Sequence, residues 1–544
     1  MPTLSLSHVT FTWPDGRPLF TDLTLAIPPG LTGVVGRNGI GKTTLLRLLT
    51  GELTPQAGTV TRAATWHAVP QHLTLEVGRT VADVLGIGGT LAALRAIENG
   101  SLDQAHFDAV GDDWLVEERA RAAVASLGLD LTDLDHTVGA LSGGEATLLA
   151  VAAALTAQPE LLVLDEPTNN LDARARTLLR HRLRARTGAT LVVTHDRALL
   201  REVDHILELV EREDRTVQVN LFGGALADYE VAKAAQADAA HQAVVTARGE
   251  ARRQQRLLVA HQDGAARKAA VGVAARRDRK VVGMAANARR NRAEATDATA
   301  RQVHRERLEE AQAALAQAQA AIPRDRSIRV DLPDTRVPPR RQVALLEGVV
   351  TRAGHEVTAR IVGPERIHLA GPNGSGKTTL LDTLRGALTP RSGTVTVAVP
   401  VGYLPQRLTV VKAELTVLEN VRLGAPDVPL QQIRDELGRF QFRGAAVDAL
   451  AGRLSGGERF RAALAMVLLA RPAPQLLLLD EPTNNLDFES QAHLSEALEG
   501  YGGALVVVSH DPDFVDGLGL DRRWELPGSG RVDTEGRGIP MLDS

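Results

Sequence analysis

The chain has 544 residues, 62 Lys+Arg against 66 Asp+Glu, no cysteine and only 3% aromatic residues. That length suits about three or four domains with sizeable cores. The missing cysteine excludes disulfides, thiolate zinc sites, iron–sulfur clusters and cysteine nucleophiles, while a formal charge of −4 points to no partner.

The N-terminus, MPTLSLSHVTF, lacks a charged segment followed by an apolar core, so no secretion leader is expected. The longest apolar run, Ala146–Ala157, is twelve residues, against about 20 for a membrane-spanning helix. A cytoplasmic protein is expected. Arg outnumbers Lys 56 to 6, so each lysine stands out.

The first informative segment is GRNGIGKTTLL, Gly36–Leu46. It fits the phosphate-binding pattern GxxxxGK[ST], in which Gly36, Asn38, Gly39 and Gly41 belong to a loop whose backbone N–H groups close around phosphates at a helix N-terminus. Lys42 is placed to neutralise β/γ-phosphate charge. Thr43, followed by Thr44, is placed to ligate Mg²⁺ through its hydroxyl. Next comes VPQ, whose Gln71 can touch the metal or the attacking water. Residues 90–117 are polar and helix-compatible. LSGGE at Leu141–Glu145 offers the Ser142 hydroxyl and the Gly143 and Gly144 backbone donors at a helix start, a second anion site. LLVLDE is a buried-strand run ending in Asp165, suited to the Mg²⁺ shell, and Glu166, suited to general-base work. LVVTHD ends another apolar run in His195, within reach of a γ-phosphate.

Residues 231–330 are different in kind. They hold 20 Lys+Arg and 10 Asp+Glu, no Phe, Trp or Tyr, and no proline before Pro323. Ala, Gln and Arg dominate, all helix-compatible. Tyr229–His261 reads as helix with Gly249 its weak point. Leu308, Ala311, Leu315, Ala318 and Ile322 form one apolar stripe of a second helix. Gly264, Gly272 and Gly283 are the expected breakers, giving an antiparallel hairpin with a basic tip at about 261–290. Thirty helical residues would reach about 45 Å. A basic, aromatic-free projection on an otherwise acidic chain suits phosphate-backbone contact rather than base stacking.

The first pattern then repeats in the same order. GPNGSGKTTLL brings Gly371, Asn373, Gly374, Gly376, Lys377, Thr378 and Thr379. LPQ brings Gln406, LSGGE brings Ser455, Gly456 and Gly457, LLLLDE brings Asp480 and Glu481, and VVVSHD brings His510. Lys42 to Lys377 and Gln71 to Gln406 are both separated by 335 residues, whereas Asp165 to Asp480 and His195 to His510 are separated by 315. Ser142 to Ser455 is 313, so the first copy carries about 22 extra residues before its LSGGE. The expected fold is α/β, with a duplicated phosphate-loop unit. The reaction that fits is ATP hydrolysis by positioning and electrostatics.

These motifs, in this order and twice, resemble the ABC-F family of ATP-binding cassette proteins. Two cassettes without a membrane domain, a charged helical connector and EPTNNLD in both halves carry the narrower resemblance. It implies two P-loop ATP-binding cassette domains joined by a long α-helical hairpin: a first cassette at 1–225 with an arm-like insertion at about 90–117, a basic linker at 226–340 and a second cassette at 341–544. It implies ATP and Mg²⁺ as ligands, with Thr43, Gln71 and Asp165, and Thr378, Gln406 and Asp480, around the metal. It implies a head-to-tail sandwich in which Lys42, Asp165, Glu166 and His195 face Ser455, Gly456 and Gly457. The other site pairs Lys377, Asp480, Glu481 and His510 with Ser142, Gly143 and Gly144.

Trp13 would fill the adenine-stacking position of the first cassette, whereas Val349–His355 offers the second no Phe, Trp or Tyr. The first signature continues as Ala146-Thr147 and the second as Arg459-Phe460, so the two sites are expected to differ. Partners implied by the family are the ribosome, with rRNA and tRNA met by the linker, and an effect on translation or protection from antibiotics. The chain would be a monomer with an internal cassette dimer. An exporter's ATPase subunit and a DNA-associated ATPase are the alternative readings.

Overall fold

The structure is a computed structural model that describes residues 4–71, 78–129, 133–169, 171–212, 214–277, 284–320, 332–406, 408–484 and 486–527; side chains are not described at 140, 265, 266 and 268–298. Compact packing separates two units, one formed by Met1–Leu226 with Ser327–Ser544 and the other by Ala227–Arg326.

The first cassette contains β1 (Leu4–Thr12), β2 (Pro18–Ile27), β3 (Gly30–Gly36), β4 (Ala57–Thr61), β5 (Trp66–Val69), β6 (Leu161–Asp165), β7 (Ala189–Val193), β8 (His205–Glu211) and β9 (Val217–Gly223). Its main sheet has the order β5-β6-β7-β3-β8-β9, parallel except for the last pair. A smaller antiparallel sheet has the order β2-β1-β4. Strands β6 and β7 are buried at every residue. A parallel strand covered on both faces needs a near-continuous apolar run, which residues 161–164 and, with Thr190 its one polar residue, Ala189–Val193 supply.

The second cassette repeats the plan with β10 (Gln342–Val350), β11 (Glu356–Val362), β12 (Arg366–Ala370), β13 (Ser392–Val397), β14 (Val401–Leu404), β15 (Leu476–Asp480), β16 (Ala504–Val508) and β17 (Arg522–Glu525). Its sheets have the orders β14-β15-β16-β12-β17 and β11-β10-β13. In both cassettes the phosphate-loop strand lies two places from the strand ending in the carboxylates. The strand leading to the histidine lies between them. Parallel sheets bind ligands beyond their carboxyl ends, and this order collects the three motifs at that edge.

The extra residues of the first cassette form two short helices, Gly88–Glu98 and Gln104–Val110. Ala93, Leu94, Val110 and Val116 give them a small core of their own.

The second unit is built from two helices, Leu226–Arg277 and Met284–Ala320. The expected breaks at Gly264 and Gly272 do not occur, because the first helix runs through both. A helical glycine costs only about 1 kcal/mol against alanine, which a long helix tolerates. Its 52 residues span about 78 Å at 1.5 Å each. The connection and Gly283 fall at 278–283, outside the described residues, as does Ile322. Half-buried or buried positions recur at Ala237, Ala240, Val244, Ala247, Ala251, Gln254, Leu258 and His261. On the second helix they recur at Ala300, His304, Leu308, Ala311, Leu315 and Ala318. Alternating three-and-four spacing is the seam of a two-helix coiled coil. The His261 and His304 rings meet across it at 5.3 Å.

One boundary shifts. Residues 332–340, expected in the connector, pack onto the second cassette. Leu332 joins its core, Thr335 is fully buried, and the Val337 N–H donates to the Gly502 carbonyl at 3.1 Å. The apolar side chains at 332 and 337 supply the reason.

Candidate functional site

Each phosphate loop joins a strand to a helix: β3 to Lys42–Thr50, and β12 to Lys377–Leu384. The residue before each helix, Gly41 or Gly376, is left-handed, with φ of 112° or 84°. A Cβ there would press on Leu19 or Ala353, so only glycine fits both the backbone and the space. Gly39 has open space where a side chain would be. The loop thus leaves room above its backbone donors.

The charged groups converge on that space. The Lys42 ammonium donates to the Gly36 carbonyl at 2.6 Å and to His195 Nε2 at 2.8 Å. His195 Nε2 lies 3.2 Å from Glu166 Oε1, and Thr43 Oγ1 donates to Asp165 Oδ2 at 2.7 Å. The second cassette repeats this. Lys377 donates to the carbonyls of Gly371 and Pro372 at 2.7 and 2.9 Å and lies 3.5 Å from His510 Nε2. His510 Nε2 is 3.3 Å from Glu481 Oε1, and Thr378 Oγ1 donates to Asp480 Oδ2 at 2.8 Å.

Glu166 and Glu481 have φ of 52° and 48°. A non-glycine residue there costs on the order of 1–3 kcal/mol and persists only where the surroundings enforce it. Here the Glu166 and Glu481 N–H groups are tied to the Val193 and Val508 carbonyls, both at 2.9 Å. The same strain appears twice in register, each time turning a carboxylate out of a fully buried strand. Burial pushes Glu166 up to about 8 and Glu481 up to about 7. Burial pushes His195 down to about 3 and His510 down to about 4. Both lysines are lowered by the same loss of water.

The signature serines start helices Gly143–Thr156 and Gly456–Leu468 through capping boxes with Glu145 and Glu458. Each serine Oγ accepts its own helix's N–H, from Glu145 or Glu458, at 3.3 Å. The signature glutamates therefore hold the helix ends in shape.

The structure brings the cassettes' motifs together in two cavities. One, of about 370 Å³, is lined by Trp13, Asn38, Gly39, Gly41, Lys42, Thr43, Thr44, Gln71, Asp165 and Glu166 of the first cassette and by Gly456 of the second. Ser455 and Gly457 lie outside its lining, and Gly457 faces Ser490 Oγ instead. The other, of about 950 Å³, joins Asn373, Gly374, Gly376, Lys377, Thr378, Thr379, Gln406, Asp480, Glu481 and His510 to Ser142, Gly143 and Gly144. Gln71 borders this cavity as well. Gly36, Gly371 and His195 line neither of these two cavities. The two hydroxyl–carboxylate pairs are hard oxygen donors of the kind Mg²⁺ takes alongside phosphate, so the donor set fits that ion.

A family model described as ABC transporter matches residues 20–169 and 355–484. Over 538 residues the chain is 39% identical to the tylosin resistance ATP-binding protein TlrC of Streptomyces fradiae, covering 93% of this chain and 94% of that protein. The chain belongs to the ABC-F family of ATP-binding cassette proteins. It is also 32% identical to the energy-dependent translational throttle protein EttA of Mycobacterium tuberculosis, over 92% of this chain and 87% of that one. A solved structure titled RNase-L Inhibitor shares the fold, with a TM-score of 0.57, 20% identity, and coverage of 95% of this chain and 87% of that chain. No helix among the described residues is long and apolar enough to cross a membrane.

Within this ABC-F chain the two cassettes are not copies at the site. Trp13, edge-on to Phe11 at 5.3 Å, lines the first cavity, while the second has Ala353 on its wall. Four contacts at the sites involve residues that are not among the sequence candidates. Tyr403 places its hydroxyl 3.4 Å from Asp480 Oδ2, where the first cassette has Ala68. Asp487 accepts the Asn38 N–H at 2.7 Å across the cassettes. Phe488 stands edge-on to His195 at 5.7 Å. Arg37 pairs with Glu489 at 2.8 Å. Asp487 ends the EPTNNLD segment and Phe488 and Glu489 follow it, and only the assembled pair shows what they reach.

Proposed function

We propose that this ABC-F protein hydrolyses ATP at two composite sites and uses the resulting closure of its cassettes to act on the ribosome through the basic helical connector. The observation that carries the catalytic part is the repeated lysine–histidine–glutamate cluster beside a threonine–aspartate pair, facing a signature from the other cassette. The full-length likeness to proteins named for tylosin resistance and translational throttling supports the partner.

In this reading Lys42 and Lys377 turn from their backbone carbonyls to the β/γ-phosphates, leaving the histidines free to face the γ-phosphate. Glu166 and Glu481 accept the proton of the attacking water, with their raised affinity for protons matching them to that task. Mg²⁺, held by Thr43 and Asp165 or by Thr378 and Asp480, would neutralise charge on the phosphate oxygens. Gln71 and Gln406 sit beside the same position. Ser142–Gly144 and Ser455–Gly457 supply donors from the far side. On the connector, exposed Arg248, Arg252, Arg253, Arg256 and Arg267 give phosphate-backbone contacts to rRNA or tRNA. The protein acts in the cytoplasm, on translation or in protecting ribosomes from an antibiotic.

The test is the Glu166→Gln/Glu481→Gln double variant. Loss of a general base should slow hydrolysis by about 10²–10⁴-fold while preserving closure. With ATP, the variant should co-sediment with 70S ribosomes and arrest translation in a cell-free system. Partition to membranes or to DNA, with ribosomes untouched, would show that the exporter or the DNA reading is the correct one.

A further inference from the structure

The two sites carry the same glutamate and histidine, yet each receives different residues from the opposite cassette. The helices after the two EPTNNLD segments, Ala173–Arg184 and Phe488–Glu499, are related by the same 315-residue offset as the catalytic motifs. Arg176 thus corresponds to Gln491, and Ala173 to Phe488.

Arg176 spans the cassettes. Its Nε donates to the carbonyl of Leu171, in its own cassette, at 3.0 Å. Its Nη2 donates to Asn484 Oδ1 of the second cassette at 3.3 Å, and its Nη1 points to the His510 carbonyl at 3.5 Å. Arg176, Asn484 and His510 line a 120 Å³ cavity between the cassettes, which Glu166 and His195 also border. Gln491 lines the same cavity from the other side but carries no charge. At the first site Phe488, the counterpart of Ala173, stands edge-on to His195, with the Arg197 guanidinium 5.4 Å above its ring.

We propose that Arg176 is a positioning residue that acts across the cassettes on the second site alone, fixing the main chain of His510 and the side chain of Asn484. The His510 backbone aims the ring whose Nε2 lies 3.3 Å from Glu481. A misplacement of about 1 Å caused away from the chemistry can cost on the order of 10²-fold in rate. Because Arg176 is also tethered to Leu171, a residue on the wall of the second cavity, its reach depends on how the first cassette's EPTNNLD segment is seated. The second site is therefore aligned only when the first cassette is docked on it. The first site is held across the cassettes by different groups, Asn38 with Asp487 and Arg37 with Glu489, and has the Phe488 ring beside His195.

The inference rests on the ATPase reading, and the test separates the two. Glu166→Gln leaves turnover to the second site, and Glu481→Gln leaves it to the first. Arg176→Gln should lower kcat about tenfold or more in the Glu166→Gln background, with KM within about twofold. The loss should be at least about five times smaller in the Glu481→Gln background. Arg176→Lys, which keeps one donor and the charge, should recover part of the loss in the first background, and it keeps the test informative if the glutamine variant folds poorly. Equal losses in both backgrounds, or none in either, would overturn the inference. A wild-type protein without ATPase activity would overturn the ATPase reading instead.

Discussion

At the scale of residues, the repeated motifs mark groups that the fold brings together. Lys42, Thr43, Asp165, Glu166 and His195 come from three separate segments, and the fold places them within hydrogen-bond reach of one another. The phosphate loop, the twin carboxylates and the strand-end histidine each have a local pattern that a single sequence displays. Arg176, Phe488 and Tyr403 have none, and Asp487, though it ends the EPTNNLD motif, reaches Asn38 only across the cassettes; each matters through a partner far along the chain. Their roles depend on how the cassettes face each other, which no local pattern encodes.

The buried acids also make a prediction about pH. Glu166 and Glu481 are raised from 4.5 to about 8 and about 7, so the fold holds protons that the unfolded chain releases. Their contribution to stability is largest below pH 4.5 and is lost as pH rises through 7 and 8. His195 and His510, lowered from 6.5 to about 3 and about 4, act oppositely and destabilise the fold as pH drops below 6.5. Above that pH the glutamates are the part of this set still titrating. In EDTA without nucleotide, the Tm should fall between about pH 6.5 and 8.5. The Glu166→Gln/Glu481→Gln variant should show a distinctly shallower fall. Parallel curves for the two proteins would mean that these carboxyls are not the buried acids described.

At the scale of elements, the sheets were legible because parallel strands buried on both faces need near-continuous apolar runs, and residues 161–164 and 476–479 are such runs. The connector was legible as helix but not in its extent. Gly264 and Gly272 carry the composition of a turn, yet the helix passes through them. The residues on either side are strong helix formers, and the seam continues from Ala237 to His261. Half of the seam is alanine, so it binds the helices together with little apolar area and leaves long basic side chains outside. Such an element contributes little to the cassettes' own cores. Removing His261–Arg290 should keep basal ATPase activity within about twofold, since no residue of either cavity is touched. The same deletion should abolish the effect on cell-free translation. Loss of basal ATPase would make the connector a brace for the cassettes.

At the scale of the whole molecule, the formal charge of −4 conceals a division of labour: 20 Lys+Arg against 10 Asp+Glu lie on residues 231–330, and the acidic balance lies elsewhere. In the proposed reading, duplication within one chain supplies both halves of each composite site. The first site is narrow, carries Trp13 and is tied by Asn38–Asp487 and Arg37–Glu489. The second is wider and depends on Arg176. Native mass spectrometry of the Glu166→Gln/Glu481→Gln variant with ATP and Mg²⁺ tests this arrangement most directly. The account predicts one chain carrying two ATP molecules. A single ATP per chain, or two only in a species of two chains, would contradict it.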